Sequence, residues 1–170
     1  MKGKPTAVMF DLDSVLADTR HRWGLSPAVN PATTWDDYAA ACAGDSPLMG
    51  TVMVARLLWP HHQVHIVSGS PQSSWGHRAA WLDRHGVPWD YMRLRHPSED
   101  GMRNGDLKIG YIETVRAAGV EVLLFAEDWG RAAEDIHEHT GVPVLGVNPF
   151  YPEDALKFQQ LQVDGAGGGH

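Results

Sequence analysis

The sequence predicts an α/β fold with an open parallel sheet, and three observations carry that prediction. Near-continuous apolar runs are each stopped by polar residues, which is how strands buried on both faces of a parallel sheet read. Segments of helical period lie between these runs, so each strand is expected to return to the sheet through a helix. The residues that stop the runs include carboxylates, a hydroxyl and a glycine, and in such sheets ligands collect at the carboxyl ends of the strands.

Thr6 to Phe10 is the first β-prone run and ends at Asp11. A small insertion follows from Asp18 to Asp45; it holds Trp23, Pro27, Pro31 and Trp35, with a short helix expected from Trp35 to Cys42, and is a candidate lid. Leu48, Thr51, Val52, Ala55, Leu58 and Trp59 keep a helical period that stops at Pro60. Val64 to Val67 is the second strand, ending in Ser68-Gly69-Ser70. Trp75, Ala79, Leu82 and His85 mark a helix before Gly86 and Pro88, and Tyr91 to Leu94 a further short strand. Leu107, Ile109, Ile112, Val115 and Arg116 form a helix toward Gly119. Val120 to Ala126 is a strand ending in Glu127-Asp128. Ala132, Ala133, Ile136 and His139 form a helix toward Gly141, and Val142 to Val147 a strand ending in Asn148-Pro149. The result is a sheet of about five strands. Residues 1–162 read as one domain, and Val163 to His170, rich in glycine, as a flexible tail.

With 43% hydrophobic and 21% charged residues, the chain has the composition of a folded globular protein. No run approaches the roughly 18 apolar residues of a membrane span, and Met1 to Pro5 lead into the first strand without a signal-peptide pattern. A cytoplasmic protein without membrane partners is expected, and no obligate protein partner is evident. The single cysteine, Cys42, suits a reducing compartment and reads as a small buried residue. A net charge of −7 argues against coating long nucleic acid, because such binding rests on many phosphate neutralisations. Nucleic-acid contact should be local, at Arg20, His21 and Arg22 or at Arg93, Arg95, His96, Arg103 and Lys108; the alternative for each cluster is a solvated face. No phosphate-binding Gly-x-x-x-x-Gly-Lys loop and no internal repeat is present.

Asp11 and Asp13 lie two residues apart after the first strand, so in extended backbone both face one point. Two like charges so close need a cation or a proton between them, and oxygen ligands favour Mg²⁺. Ser68 and Gly69 supply a hydroxyl and backbone N–H groups suited to a phosphate oxygen. Lys108 can neutralise another oxygen, and Glu127-Asp128 add carboxylates for the metal.

With Phe10-Asp11-Leu12-Asp13-Ser14-Val15-Leu16-Ala17-Asp18, Ile66-Val67-Ser68-Gly69-Ser70, Lys108 and Glu127-Asp128 in that order, the sequence resembles the haloacid dehalogenase (HAD) superfamily of phosphohydrolases from about Val8 to Phe150. Through Trp81 to Pro88, Met92-Arg93 and Met102 to Lys108 it resembles more narrowly the 3′-phosphatase domain of phage-type polynucleotide kinases. The resemblance implies a HAD-like Rossmannoid three-layer fold with a small helical cap insertion after the first strand. It implies Asp11 as nucleophile, forming an aspartyl-phosphate, and Asp13 as the acid for the leaving oxygen. It implies Mg²⁺ held by Asp11, the Asp13 carbonyl and Asp128 or Glu127, and phosphoryl contacts from Ser68, Gly69 and Lys108; Arg20, His21 and Arg22, just beyond the nucleophile loop, with Arg93 and Arg103, are the candidates for substrate contacts. The substrate would be a 3′-phosphate on a polynucleotide end or a nucleotide. A deoxynucleotidase acting on free mononucleotides and an inactive binding module are the alternatives; the intact acids, Ser68 and Lys108 speak against the latter. Ser14-Val15 stands where the family favours Gly-Thr, Glu127 replaces a frequent Asp, and Ser70 stands where the kinase-linked phosphatases have Arg.

Trp23, Trp35 and Trp129 fall in or beside this site and could stack on a base, although core packing is the commoner fate of a tryptophan. His61, His62 and His65 lie before or at the start of the second strand, away from its carboxyl end, and read as structural, as do His137 and His139.

Overall fold

The computed structural model describes residues 3–128 and 130–147, so Trp129, Asn148-Pro149 and the glycine-rich tail lie outside the described residues. In chain order the elements are β1 (Thr6–Phe10), β2 (Ala17–Asp18), α1 (Trp35–Ala40), β3 (Ser46–Pro47), α2 (Met49–Leu58), β4 (Gln63–Pro71), α3 (Trp75–Arg84), β5 (Tyr91–Arg95), α4 (Asn104–Ala117), β6 (Glu121–Glu127), α5 (Gly130–Thr140) and β7 (Val144–Gly146). A five-stranded parallel sheet has the order β5-β4-β1-β6-β7, the α/β architecture expected.

Alternation along β1 explains the three layers. Val8 and Phe10 point to one face, where they meet Val52 and Ala55 of α2 and Trp81 and Leu82 of α3. Ala7 and Met9 point to the other, against Leu107, Ile112 and Val115 of α4 and Ile136 of α5. Because β1 is central and covered on both sides, its last four residues, Ala7 to Phe10, are all apolar and buried, which is what made it legible. β7 is shorter than the expected Val142 to Val147 because it is an edge strand, with Leu145 and Gly146 exposed. α4 starts three residues before Leu107, since its polar first turn carries no apolar period.

The insertion is a packed part of the domain. Its base is the antiparallel β2–β3 ribbon, and α1 is opened by a capping box in which the Thr34 side chain and Asp37 exchange hydrogen bonds. Tyr38, Ala39 and Cys42 are buried, and the segment rests on β4 and α3. Among the described residues no helix is long and apolar enough to cross a membrane.

Candidate active site

The strand order brings the carboxyl ends of β1, β4 and β6 side by side, and with them Asp11, Ser68 and Glu127. After Asp11 the chain turns sharply: Ser14 donates from its backbone to the Ala17 carbonyl (2.8 Å) and takes a positive φ of 64°. That conformation, costing a non-glycine residue about 1–2 kcal/mol, accounts for the glycine favoured at this position in the resembled family.

Lys108, on the first turns of α4, is buried beneath the strand ends and donates to Asp11 Oδ2 (2.8 Å) and Glu127 Oε2 (2.5 Å). Asp11 Oδ1 accepts from the Leu12 amide at 2.6 Å. Burial drives the Asp11 pKa up to about 7 against the pull of Lys108, with Glu127 adding to the rise. Asp128 is pushed up as well, by burial and then by Glu127 and Asp11. Burial would lower the Lys108 pKa, but Asp11 and Glu127 outweigh it and raise it.

Oxygens of Asp11, Glu127 and Asp128 lie within 4.8 Å of one another. Three carboxylates against one ammonium leave uncompensated negative charge, and all donors are hard oxygens, so the set fits a divalent cation such as Mg²⁺. The Asp13 carboxylate is outside this cluster.

Asp13 instead meets two arginines. Arg78 places Nη1 on Oδ1 (2.7 Å) and Nη2 on Oδ2 (2.9 Å), and Arg22 Nη2 donates to Oδ1 at 2.6 Å. Burial would raise the Asp13 pKa, yet the Arg78 and Arg22 charges prevail and hold it at about 2. The carboxylate is therefore ionised in the resting site, whereas an acid for the leaving group must first gain a proton.

The sequence expectation for Arg22 needs correcting: its side chain has no solvent exposure and cannot reach outward to a substrate. Its Nε and Nη2 bind both oxygens of buried Asp45 at 2.8 Å, Nη1 binds the Tyr38 carbonyl, and the guanidinium lies 4.1 Å over the Tyr38 ring. A basic run beside the nucleophile looks like a surface patch, but here its last cation is enclosed by Asp13, ahead of the insertion, and Asp45, at the insertion's end. The other expected contacts are engaged at the surface: Arg20 with Asp18, His21 with Asp45, Arg93 with Glu99, and Arg103 with Asp106 and Asp135.

Arg95 also serves the protein rather than the surface. It donates to the carbonyls of Gly69 (3.1 Å), Glu99 (2.8 Å) and Met102 (2.7 Å) and to Asn104 Oδ1 (2.6 Å), tying the end of β4 to the start of α4 and so to Lys108. Gly69 is needed where it stands, because a Cβ there would meet Asn104 Oδ1 at 2.3 Å. The Ser68 hydroxyl accepts from the Ser70 amide (3.2 Å).

Sequence reasoning missed Arg78 and Asp45. Neither lies in a linear motif, and an arginine inside a helix ordinarily reads as solvent-facing. Trp35 is exposed and edge-on to Tyr38, Trp23 donates to Thr19, and Cys42 is buried as expected. His65 is buried against Tyr111, His62 meets Thr6, and His137 and His139 meet backbone carbonyls.

The fold is shared with solved haloacid dehalogenase-like hydrolases. No protein-family profile and no curated protein matches the chain. Among solved structures, a chain in the Pnkp1/Rnl/Hen1 RNA repair complex superposes with a TM-score of 0.72 at 18% identity over 87% of this chain. The class C acid phosphatase from Bacillus anthracis with tungstate bound follows at 0.62, with 16% identity over 96% of this chain and 80% of that one. A haloacid dehalogenase-like hydrolase from Streptococcus pneumoniae gives 0.58, with 15% identity over 91% of each chain. The chain spans 44% of the repair-complex chain it matches.

Proposed function

We propose that the protein is a Mg²⁺-dependent phosphomonoester hydrolase that removes 3′-phosphates from polynucleotide ends. The observation that carries the reading is the buried Asp11 carboxylate, bound by Lys108 and set beside Glu127 and Asp128 at the carboxyl edge of the sheet. Asp11 is the nucleophile: one of its carboxylate oxygens attacks phosphorus, the ester oxygen leaves, and water later hydrolyses the aspartyl-phosphate. Lys108 keeps that carboxylate placed and compensates part of its charge. Asp11, Asp128 and Glu127 would hold the metal, which when bound offsets the repulsion between an anionic nucleophile and a phosphate. Ser68 and Gly69 hold phosphoryl oxygens.

Asp13 passes a proton to the leaving oxygen. In the resting site the Arg78 and Arg22 charges keep it ionised, and the negative charge that an arriving phosphate brings beside it raises its proton affinity while the arginines stay in place.

A substrate at a polynucleotide end is supported by the repair-complex relative and by the small insertion, which leaves the Asp13 side chain 23% exposed at the site's mouth. In this reading Arg20 and Arg103, both exposed, contact a few phosphates of the polymer end. The test is phosphate release from 3′-phosphorylated oligonucleotides and from 3′- and 5′-mononucleotides, with Mg²⁺ or EDTA. Oligonucleotides should be hydrolysed at least as efficiently as 3′-mononucleotides, their advantage shrinking as salt rises. A strong preference for free 5′-monophosphates would favour the nucleotidase, and no release from any of them would reject the hydrolase.

A further inference from the structure

We propose that Arg78 is the positioning residue for Asp13, setting the plane of its carboxylate for proton transfer to the leaving oxygen; this rests on the reading of Asp13 as that proton donor. The geometry separates the two arginines. Arg78 forks onto Asp13, one N–H to each oxygen, which fixes the carboxylate in direction as well as place. Arg22 touches only one Asp13 oxygen, its other donors being held by Asp45 and the Tyr38 carbonyl. Arg22 therefore anchors the insertion and lends charge, while orientation belongs to Arg78.

Two further contacts point the same way. Arg78 Nη2 also donates to Ser70 Oγ at 2.7 Å, and that hydroxyl lies 3.3 Å from Asp13 Oδ2, so β4 braces the fork from the strand that carries Ser68. Meanwhile Arg78 Nε is buried without a hydrogen-bond partner among the described residues. A buried unsatisfied N–H is costly, so this guanidinium is placed for Asp13 rather than for its own satisfaction.

Arg78→Lys keeps the charge and removes the fork. Its kcat/KM on nucleoside 3′-phosphates, which reports the first transfer step, should fall about 10²-fold, within the range of acid catalysis, while nitrophenyl phosphate, whose leaving group needs no proton, should change less than about 3-fold. Combined with Asp13→Asn, the lysine should add no further loss, because both act at one step. Equal losses on the two substrates, or losses that multiply in the double variant, would show a merely structural arginine and overturn the proposal.

The ¹³C signal of the Asp13 carboxyl, assigned by its absence in Asp13→Asn, gives a readout free of turnover. It should move in Arg78→Lys while that of Asp11 stays; an unmoved Asp13 signal overturns the proposal even if the protein hydrolyses no phosphomonoester. Should Arg78→Lys fail to fold, Ser70→Arg/Arg78→Ala asks the same question, because position 70 faces Asp13. A wild-type ratio between the two substrates then supports the proposal, and the ratio of Asp13→Asn opposes it.

Discussion

Mg²⁺ should bind more weakly as the pH falls below about 7, and the slope follows from the buried acids. Asp11 has a folded pKa of about 7 against an ordinary 3.8, so near pH 6 most of it carries a proton that a metal must displace. One such proton weakens the apparent affinity about tenfold per pH unit below 7 and leaves it flat above. Asp128, raised by the same burial, steepens the dependence further. The sign for stability is the converse. A carboxyl raised on folding favours the unfolded state once it must ionise, so the metal-free protein should lose stability as pH rises from about 4 to 7, by roughly 4 kcal/mol if Asp11 acts alone. Mg²⁺ binding should restore part of this, and the melting temperature should rise with Mg²⁺ more at pH 8 than at pH 5.5. Titration calorimetry at several pH values, in buffers of different ionisation enthalpy, measures affinity and proton release together. An affinity constant from pH 5.5 to 8.5, with no proton released, would refute the assignment of Asp11 to the metal.

Asp11→Asn should abolish phosphatase turnover, because an amide of nearly the same size is no nucleophile, while the melting temperature at pH 5.5, where Asp11 is already protonated, stays within a few degrees of wild type; steady-state assay and calorimetry of the variant check both parts. Asp45→Ala should cost about 3–5 kcal/mol in urea denaturation, since it strips the fully buried Arg22 of the carboxylate that binds it at two points. An effect below about 1 kcal/mol would mean that water replaces the lost carboxylate.

The elements legible in the sequence were those whose local pattern matches their burial. The run Thr6 to Phe10 matches β1, and the period from Leu48 to Trp59 brackets α2, because the apolar stripe and the Pro60 stop sit in the same segment. Asp11, Lys108 and the Glu127-Asp128 pair were legible as site residues because each closes a strand or opens a helix. The arginine pair on Asp13 was not. Arg22 is buried only because Asp45, 23 positions on, returns across the ribbon, and Arg78 reaches Asp13 across 65 positions. Such contacts exist only after the chain has folded, and in the linear sequence an arginine inside a helix looks the same whether it faces water or an acid.

The two-residue ribbon at the base of the insertion makes the outer turn of this segment an exchangeable part. The ends are brought together by β2 and β3 and fastened by Arg22 and Asp45, and α1 packs on β4, so the turn from Val29 to Thr33 is the stretch the sheet feels least. For a flexible loop, lengthening adds only a logarithmic entropic cost, about 0.6 kcal/mol per doubling. Residues from Val29 to Thr33 are therefore where new sequence can be grafted, or where drift can accumulate, to reshape what reaches Asp11 without rebuilding the catalytic edge.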